Sequence, residues 1–121
     1  MTGVLVWAGV GALGGAGAVL RFAVDVAVSR RAGGAFPAGT LAVNLSGAAV
    51  LGLISGLALR GDARLLAGTA LIGSYTTFST WMFETHRLAE DGRHPLALAN
   101  IAFSLALGIV ATLVGRWLAG G

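Results

Sequence analysis

Residues 73–81 read GSYTTFSTW, in which the hydroxyls of Ser74, Thr76, Thr77, Ser79 and Thr80 interleave with aromatic rings. The surrounding run, 65–83, has no charged residue. Polar groups in such a run are costly unless paired or facing a wet cavity, so they point to a site. Thr and Ser compete with the backbone for hydrogen bonds, and Gly73 stands just before them, so this stretch is the least helix-like part of its run. A break here frees backbone carbonyls and N–H groups at membrane depth, where broken helices line cavities or bind ions. The chemistry implied is an ion site of undecided sign. Carbonyls suit a cation. Hydroxyls, amide N–H groups and aromatic ring edges suit an anion.

Other polar residues sit at comparable depth. Thr40, Asn44 and Ser46 share one apolar run, and Thr69 precedes the opening stretch. A mid-membrane amide needs several partners, so Asn44 either glues helices together or donates to something that passes. Asn44-Leu45-Ser46 is formally a glycosylation sequon, discounted because it lies at membrane depth. Asn100, Ser104, Gly108 and Thr112 recur every fourth residue and so share one helix face. Two readings stay open for that face. It is either a packing stripe whose hydroxyls bond back to the i−4 carbonyl, or a polar track along a pathway. His86 and His94 fall in a polar loop, where solvated histidines are the default, and no enzyme is expected.

The elements that must carry these residues follow from charge spacing. Charge-free runs cover 1–20, 32–59, 65–83 and 95–115, each of 18 residues or more, the length of a membrane crossing. Helices are expected near 4–27, 38–59, 64–87 and 95–118, the third of them broken near its centre. The connections SRRAGG, RGDAR and HRLAEDGRH are short and hold the polar residues, which leaves one four-helix domain over 1–121. A signal peptide does not fit the first run, which has no early Lys or Arg and too long an apolar stretch. Gly11/Gly15 and Gly52/Gly56 are GxxxG pairs suited to close helix packing.

Composition agrees with an all-α integral membrane protein. The chain has 121 residues, 56% hydrophobic and 11% charged, with a mean hydropathy of +0.85; soluble domains carry about 25% charged residues. Twenty glycines show no collagen-like period, and no cysteine is available for a disulfide or a thiolate metal site. The net charge of +3 comes from eight arginines, without lysine, at the edges of apolar runs. That distribution suits membrane flanks rather than nucleic acid. Arg60, Arg64 and Arg116 fall on one side of a four-helix arrangement. Arg30, Arg31, Arg87 and Arg93 fall on the other, together with the less certain Arg21. The bias is weak, so insertion in both orientations and antiparallel pairing are compatible with it.

These segments resemble a known family. GTLAVNLSG at 39–47 and GSYTTFSTWMFE at 73–84 look like the two signature segments of the Fluc (CrcB) fluoride channels, and GGAGAVLRF at 14–22 resembles that family's first-helix motif. The resemblance covers essentially the whole chain. It implies an antiparallel, dual-topology dimer in the plasma (bacterial inner) membrane, with two pores through which fluoride leaves passively. Carried over by position, Asn44 donates to fluoride and Phe78 offers its positive ring edge. Thr77, Ser79 and Thr80 join a polar track that Ser104 and Thr112 continue. Arg21 and Glu84 match charged positions near the pore ends. The carbonyls of Gly73 and Thr76 hold a structural Na⁺ at the dimer centre.

Two positions depart from the family pattern. Trp81 stands where a second pore Phe is usual, and Asn100 stands where the fourth helix carries Tyr. Each keeps a donor or an aromatic edge, so both remain pore candidates. A homodimer is expected, with a heterodimer of two similar chains as the alternative. A small multidrug-type, proton-coupled exporter is the alternative function. It calls for a membrane-embedded carboxylate, and the acids Asp25 and Glu84 are placed near helix ends. A purely structural membrane subunit leaves the aligned polar residues without a purpose.

Overall fold

The computed structural model describes residues 2–120, all in helices or the turns between them, with no strand among the described residues. Helix α1 spans Thr2–Ala32. It runs past the expected end near 27 to take Arg30 and Arg31 into its last turn, where cations complement the helix dipole. Gly33 and Gly34, at φ +61° and +73°, then turn the chain in a conformation glycine adopts without strain. Helix α2, Ala38–Gly56, starts directly after Pro37. It stops before the expected residue 59, because Ala58 takes a positive φ of 56°.

Residues 61–75, here α3, form one continuous helical stretch. Its middle, Arg64–Ile72, is wound as a π-helix between short α-turns, Gly61–Ala63 and Gly73–Tyr75. After Tyr75 the chain extends at Thr76, with φ −81° and ψ 161°, and helix resumes as α4, Ser79–Glu90. Gly92 ends α4 in a Schellman arrangement, with Arg93 N–H bonded to Leu88 O at 2.8 Å and Gly92 N–H to Ala89 O at 3.1 Å. Helix α5, His94–Leu118, opens with Pro95 in its first turn, where a missing N–H costs nothing.

Three of these helices, over Gly3–Ala32, Ala38–Gly56 and His94–Leu118, are long and apolar enough to cross a membrane. The most extensive contact joins α2 to α5, and small residues make it possible. A Cβ on Gly52 would run into Thr112 O, and one on Gly115 into Ala49 O. Glycine at both places lets the two backbones meet directly. Gly56 packs on Arg116 and Ala119, whereas Gly11 and Gly15 meet nothing within the chain. The GxxxG expectation thus divides: Gly52/Gly56 is a packing pair here, and Gly11/Gly15 faces outward. On the opposite flank, Gly17 lets α1 approach Leu71 O and Tyr75 N.

Few side chains are buried within the single chain. Val43 and Asn100 are the only large ones fully enclosed among the described residues, while Leu5, Phe22, Phe78 and Leu113 stand exposed. An apolar exterior with small residues and an amide inside is the pattern of a chain solvated by lipid or by another protein.

The α2–α5 contact gives a first test. Gly115→Ala is expected to lower stability in detergent by about 1–3 kcal/mol, the cost of overpacking against a backbone that cannot yield. Gly3→Ala, which meets open space, is the matched control in the same thermal melt.

Candidate ion site

The interruption between α3 and α4 is held by one side chain. Asn44, in the middle of α2, donates from Nδ2 to Thr77 O at 2.9 Å and accepts at Oδ1 from Thr77 N–H at 2.9 Å. Both backbone groups of Thr77 are thereby satisfied without a helix. One Asn44 N–H remains free to donate. Two further bonds shape the gap. The Thr77 hydroxyl accepts from Thr80 N–H at 3.2 Å, which caps α4. The Thr76 hydroxyl bonds back to Ile72 O at 3.2 Å.

These bonds redirect the donors that a continuous helix would supply. Thr77 N–H, the i+4 partner of Gly73 O, goes to Asn44. Thr80 N–H, the i+4 partner of Thr76 O, goes to Thr77 Oγ1. The carbonyls of Gly73 and Thr76 thereby lose the donors a continuous helix would give them. Among the described residues no three histidines or acids gather as metal ligands.

The aromatic residues flank the other end. Phe78 and Trp81 meet edge to face, with ring centroids 5.7 Å apart and planes at 79°. Asn44, Gly47, Thr76, Thr77, Phe78 and Trp81 line an open recess of about 270 Å³. Phe78 is 69% exposed in the single chain. On the far side of the break lies a second recess of about 230 Å³, bounded by Arg21, Asp25, Thr40, Thr77 and Thr80. Near it Thr40 Oγ1 and the Glu84 carboxylate are buried beside one another. Glu84 occupies the middle of α4 rather than a helix end, and Asp25 falls seven residues before the end of α1.

The face of α5 splits in two. Thr112 donates back to Gly108 O at 2.9 Å, as a packing stripe would. Ser104 Oγ is buried without a partner. Asn100 is fully buried and donates from Nδ2 to Thr85 Oγ1 at 2.8 Å, while its backbone carbonyl accepts the Trp81 indole N–H at 3.2 Å. The structure thus joins Asn100 and Trp81, the two positions that depart from the family pattern. Thr85 and Tyr75 are the residues that sequence reasoning missed. Tyr75 OH lies 2.8 Å from Ser46 Oγ and ties α3 to α2. Thr85 sits between Glu84 and His86, and nothing local marks its hydroxyl as buried.

Membrane-length helices packed on an interrupted helical stretch, with buried polar atoms beside the interruption, define a small multi-pass membrane protein. Comparison with known proteins narrows this class. The family model described as CrcB-like protein, Camphor Resistance (CrcB), matches residues 8–116. A Mycolicibacterium paratuberculosis protein named Fluoride-specific ion channel FluC 2 is 60% identical over 119 residues, covering 98% of each chain. A Mycobacterium tuberculosis protein of the same name is 58% identical over 116 residues, 96% of this chain and 92% of that one. Fluoride-specific ion channel FluC 1 of Symbiobacterium thermophilum is 40% identical over 121 residues, covering 95% and 98%. The chain belongs to the CrcB family.

Asn44→Ala strands both backbone groups of Thr77. It is expected to cost about 1–3 kcal/mol for each group left unpaired. Hydrogen exchange should show the Thr77 amide losing protection while amides in the centre of α2 keep theirs.

Proposed function

We propose that the chain is a fluoride-selective, passive channel of the inner membrane that releases cytoplasmic fluoride. The observation that carries the reading is the Asn44–Thr77 pair, which props open a helical stretch packed against helices long and apolar enough to cross a membrane. The fluoride channels among its relatives supply the ion's identity. In this reading residues 61–90 form a third, interrupted crossing, so that α1, α2, α3–α4 and α5 give four.

Fluoride is small and strongly hydrated, so close donors must replace its shell. The residues present can do this. Asn44 keeps one free N–H. Phe78 and Trp81 offer ring edges, which carry the positive end of the aromatic quadrupole. Thr77 accepts from Thr80 N–H and so retains its own hydrogen for donation, and Ser79 and Thr80 add hydroxyls at the positive end of α4. Ser104, unpartnered, is the stronger donor of the α5 track. Thr112 gives its hydrogen to Gly108 O and offers an anion nothing in that rotamer. Arg21, in the recess beside Thr77 and Thr80, supplies the positive potential that concentrates an anion at the entrance. Glu84 borders the same end.

A second copy in antiparallel orientation would cover the exposed Phe78 face and give two pores, each lined by both chains. The near-balanced arginines support insertion both ways round. A heterodimer with a similar chain is the other assembly with this geometry. The released carbonyls of Gly73 and Thr76 suit a structural Na⁺, and a two-fold axis would bring four such oxygens together. When bound, the ion offsets the electrostatic cost of neighbouring anions.

Fluoride-electrode measurements on liposomes containing only this protein test the reading. Fluoride should leave on its own gradient, chloride should not, and a proton gradient should be unnecessary. Proton-coupled movement of organic cations in place of fluoride efflux would overturn it in favour of an exporter. Phe78→Ile, which removes the ring edge, is expected to slow efflux at least about tenfold, equivalent to about 1.4 kcal/mol at one contact. Protein purified and reconstituted free of Na⁺ should lose flux and regain it when Na⁺ is restored. Flux indifferent to Na⁺ removes the sodium site and leaves the channel standing.

A further inference from the structure

Trp81, Thr85 and Asn100 close a hydrogen-bonded ring between α4 and α5. The Trp81 indole N–H donates to the backbone carbonyl of Asn100 at 3.2 Å. Asn100 Nδ2 donates to Thr85 Oγ1 at 2.8 Å. The Thr85 hydroxyl donates to Trp81 O at 2.8 Å. Thr85 has a single hydrogen and gives it to a carbonyl, so it can only accept from Asn100, and this fixes which way the amide faces.

The ring is enclosed. Asn100 is 0% exposed and Thr85 8%. A buried amide on an apolar helix is costly unless its groups are engaged, and Thr85 is the side chain that engages Asn100. Back-bonding to the i−4 carbonyl is ordinary for a helical Thr. Here the same oxygen also accepts from α5, which pins the backbone under Trp81 while the indole is pinned at its other end. Trp81 meets Phe78 at 79° with centroids 5.7 Å apart, the edge-to-face arrangement that aromatic pairs favour.

We propose that Thr85 and Asn100 are positioning residues for Trp81. They hold the indole perpendicular to Phe78 and commit its N–H to α5, so that Trp81 presents a ring edge, not a hydrogen-bond donor, at the break. The consequence for transport rests on the channel reading above. The orientation of Trp81 does not.

Thr85 is the cleaner probe, because Asn100 Oδ1 is already buried without a partner and changes at Asn100 disturb more than the ring. Replacing Trp7 and Trp117, both exposed, by Phe leaves Trp81 as the sole indole of the three. In that background Thr85→Val should lower the fluorescence anisotropy of Trp81 and shift its emission, while Thr85→Ser, which keeps the hydroxyl, should match the parent. In efflux, Thr85→Val should cost about tenfold with Trp81 present and less than about twofold on Trp81→Phe, the non-additivity of residues acting through one contact. The proposal is overturned by a Trp81 signal indifferent to Thr85→Val. A folded Thr85→Ser that behaves like Thr85→Val overturns it as well, as does an equal flux loss on Trp81→Phe. If no variant conducts fluoride, the channel reading falls and the fluorescence comparison still decides the ring.

Discussion

A helix cannot be interrupted inside hydrocarbon unless something accepts the backbone groups it abandons. In this chain that role falls to the amide of Asn44. Amide and peptide are geometric complements, so one Asn can satisfy both groups of one residue, here Thr77 at 2.9 Å in each direction. Everything around the break depends on this pair. It removes Thr77 N–H from Gly73 O, leaves the Thr77 hydroxyl free to cap α4, and sets Phe78 on the open face. Asn44 therefore serves as scaffold and still keeps one N–H uncommitted.

Close packing keeps that pair in register. Gly52 and Gly115 bring the backbones of α2 and α5 into direct contact, and Gly17 does the same between α1 and α3. Helix association in lipid gains little from hydrophobic burial and much from such contact. The small enclosed core is in keeping with this. Some hydroxyls bond back to backbone carbonyls, as at Thr112 and Thr76, and others such as Ser104 do not.

Much of this was legible in the chain before any coordinates. Charge-free runs marked the membrane-length helices, because a charge in hydrocarbon is costly enough to leave a gap wherever it is absent. Asn44 and the 73–81 stretch stood out for the same reason. Partners were harder to read. Whether Asn44 meets Thr77 or something else is a question of tertiary distance, and Thr85 lies between polar neighbours, Glu84 and His86, that suggest an exposed end. The coupling of Trp81 to Asn100 was equally hidden. Each appeared as an isolated departure from a pattern, and only the proximity of α4 and α5 shows that one indole N–H and one carbonyl connect them. Glu84 was placed near a helix end by its charge, whereas the turn at Gly92 carries α4 six residues further.

The π-wound stretch Arg64–Ile72 bears on how sequences of this kind can change in length. A π-helix accommodates surplus residues in a segment whose two ends are fixed. Removing one residue without a compensating change of winding would swing all that follows by about 100°. Thr77 would then leave Asn44, and the break would face another neighbour. Single-residue insertions and deletions between Arg64 and Ile72 should thus be rarer than substitutions there, although the segment meets the break only through Ile72 O, which Thr76 bonds. The length of the approach, as much as the residues at the break, determines where the break lies.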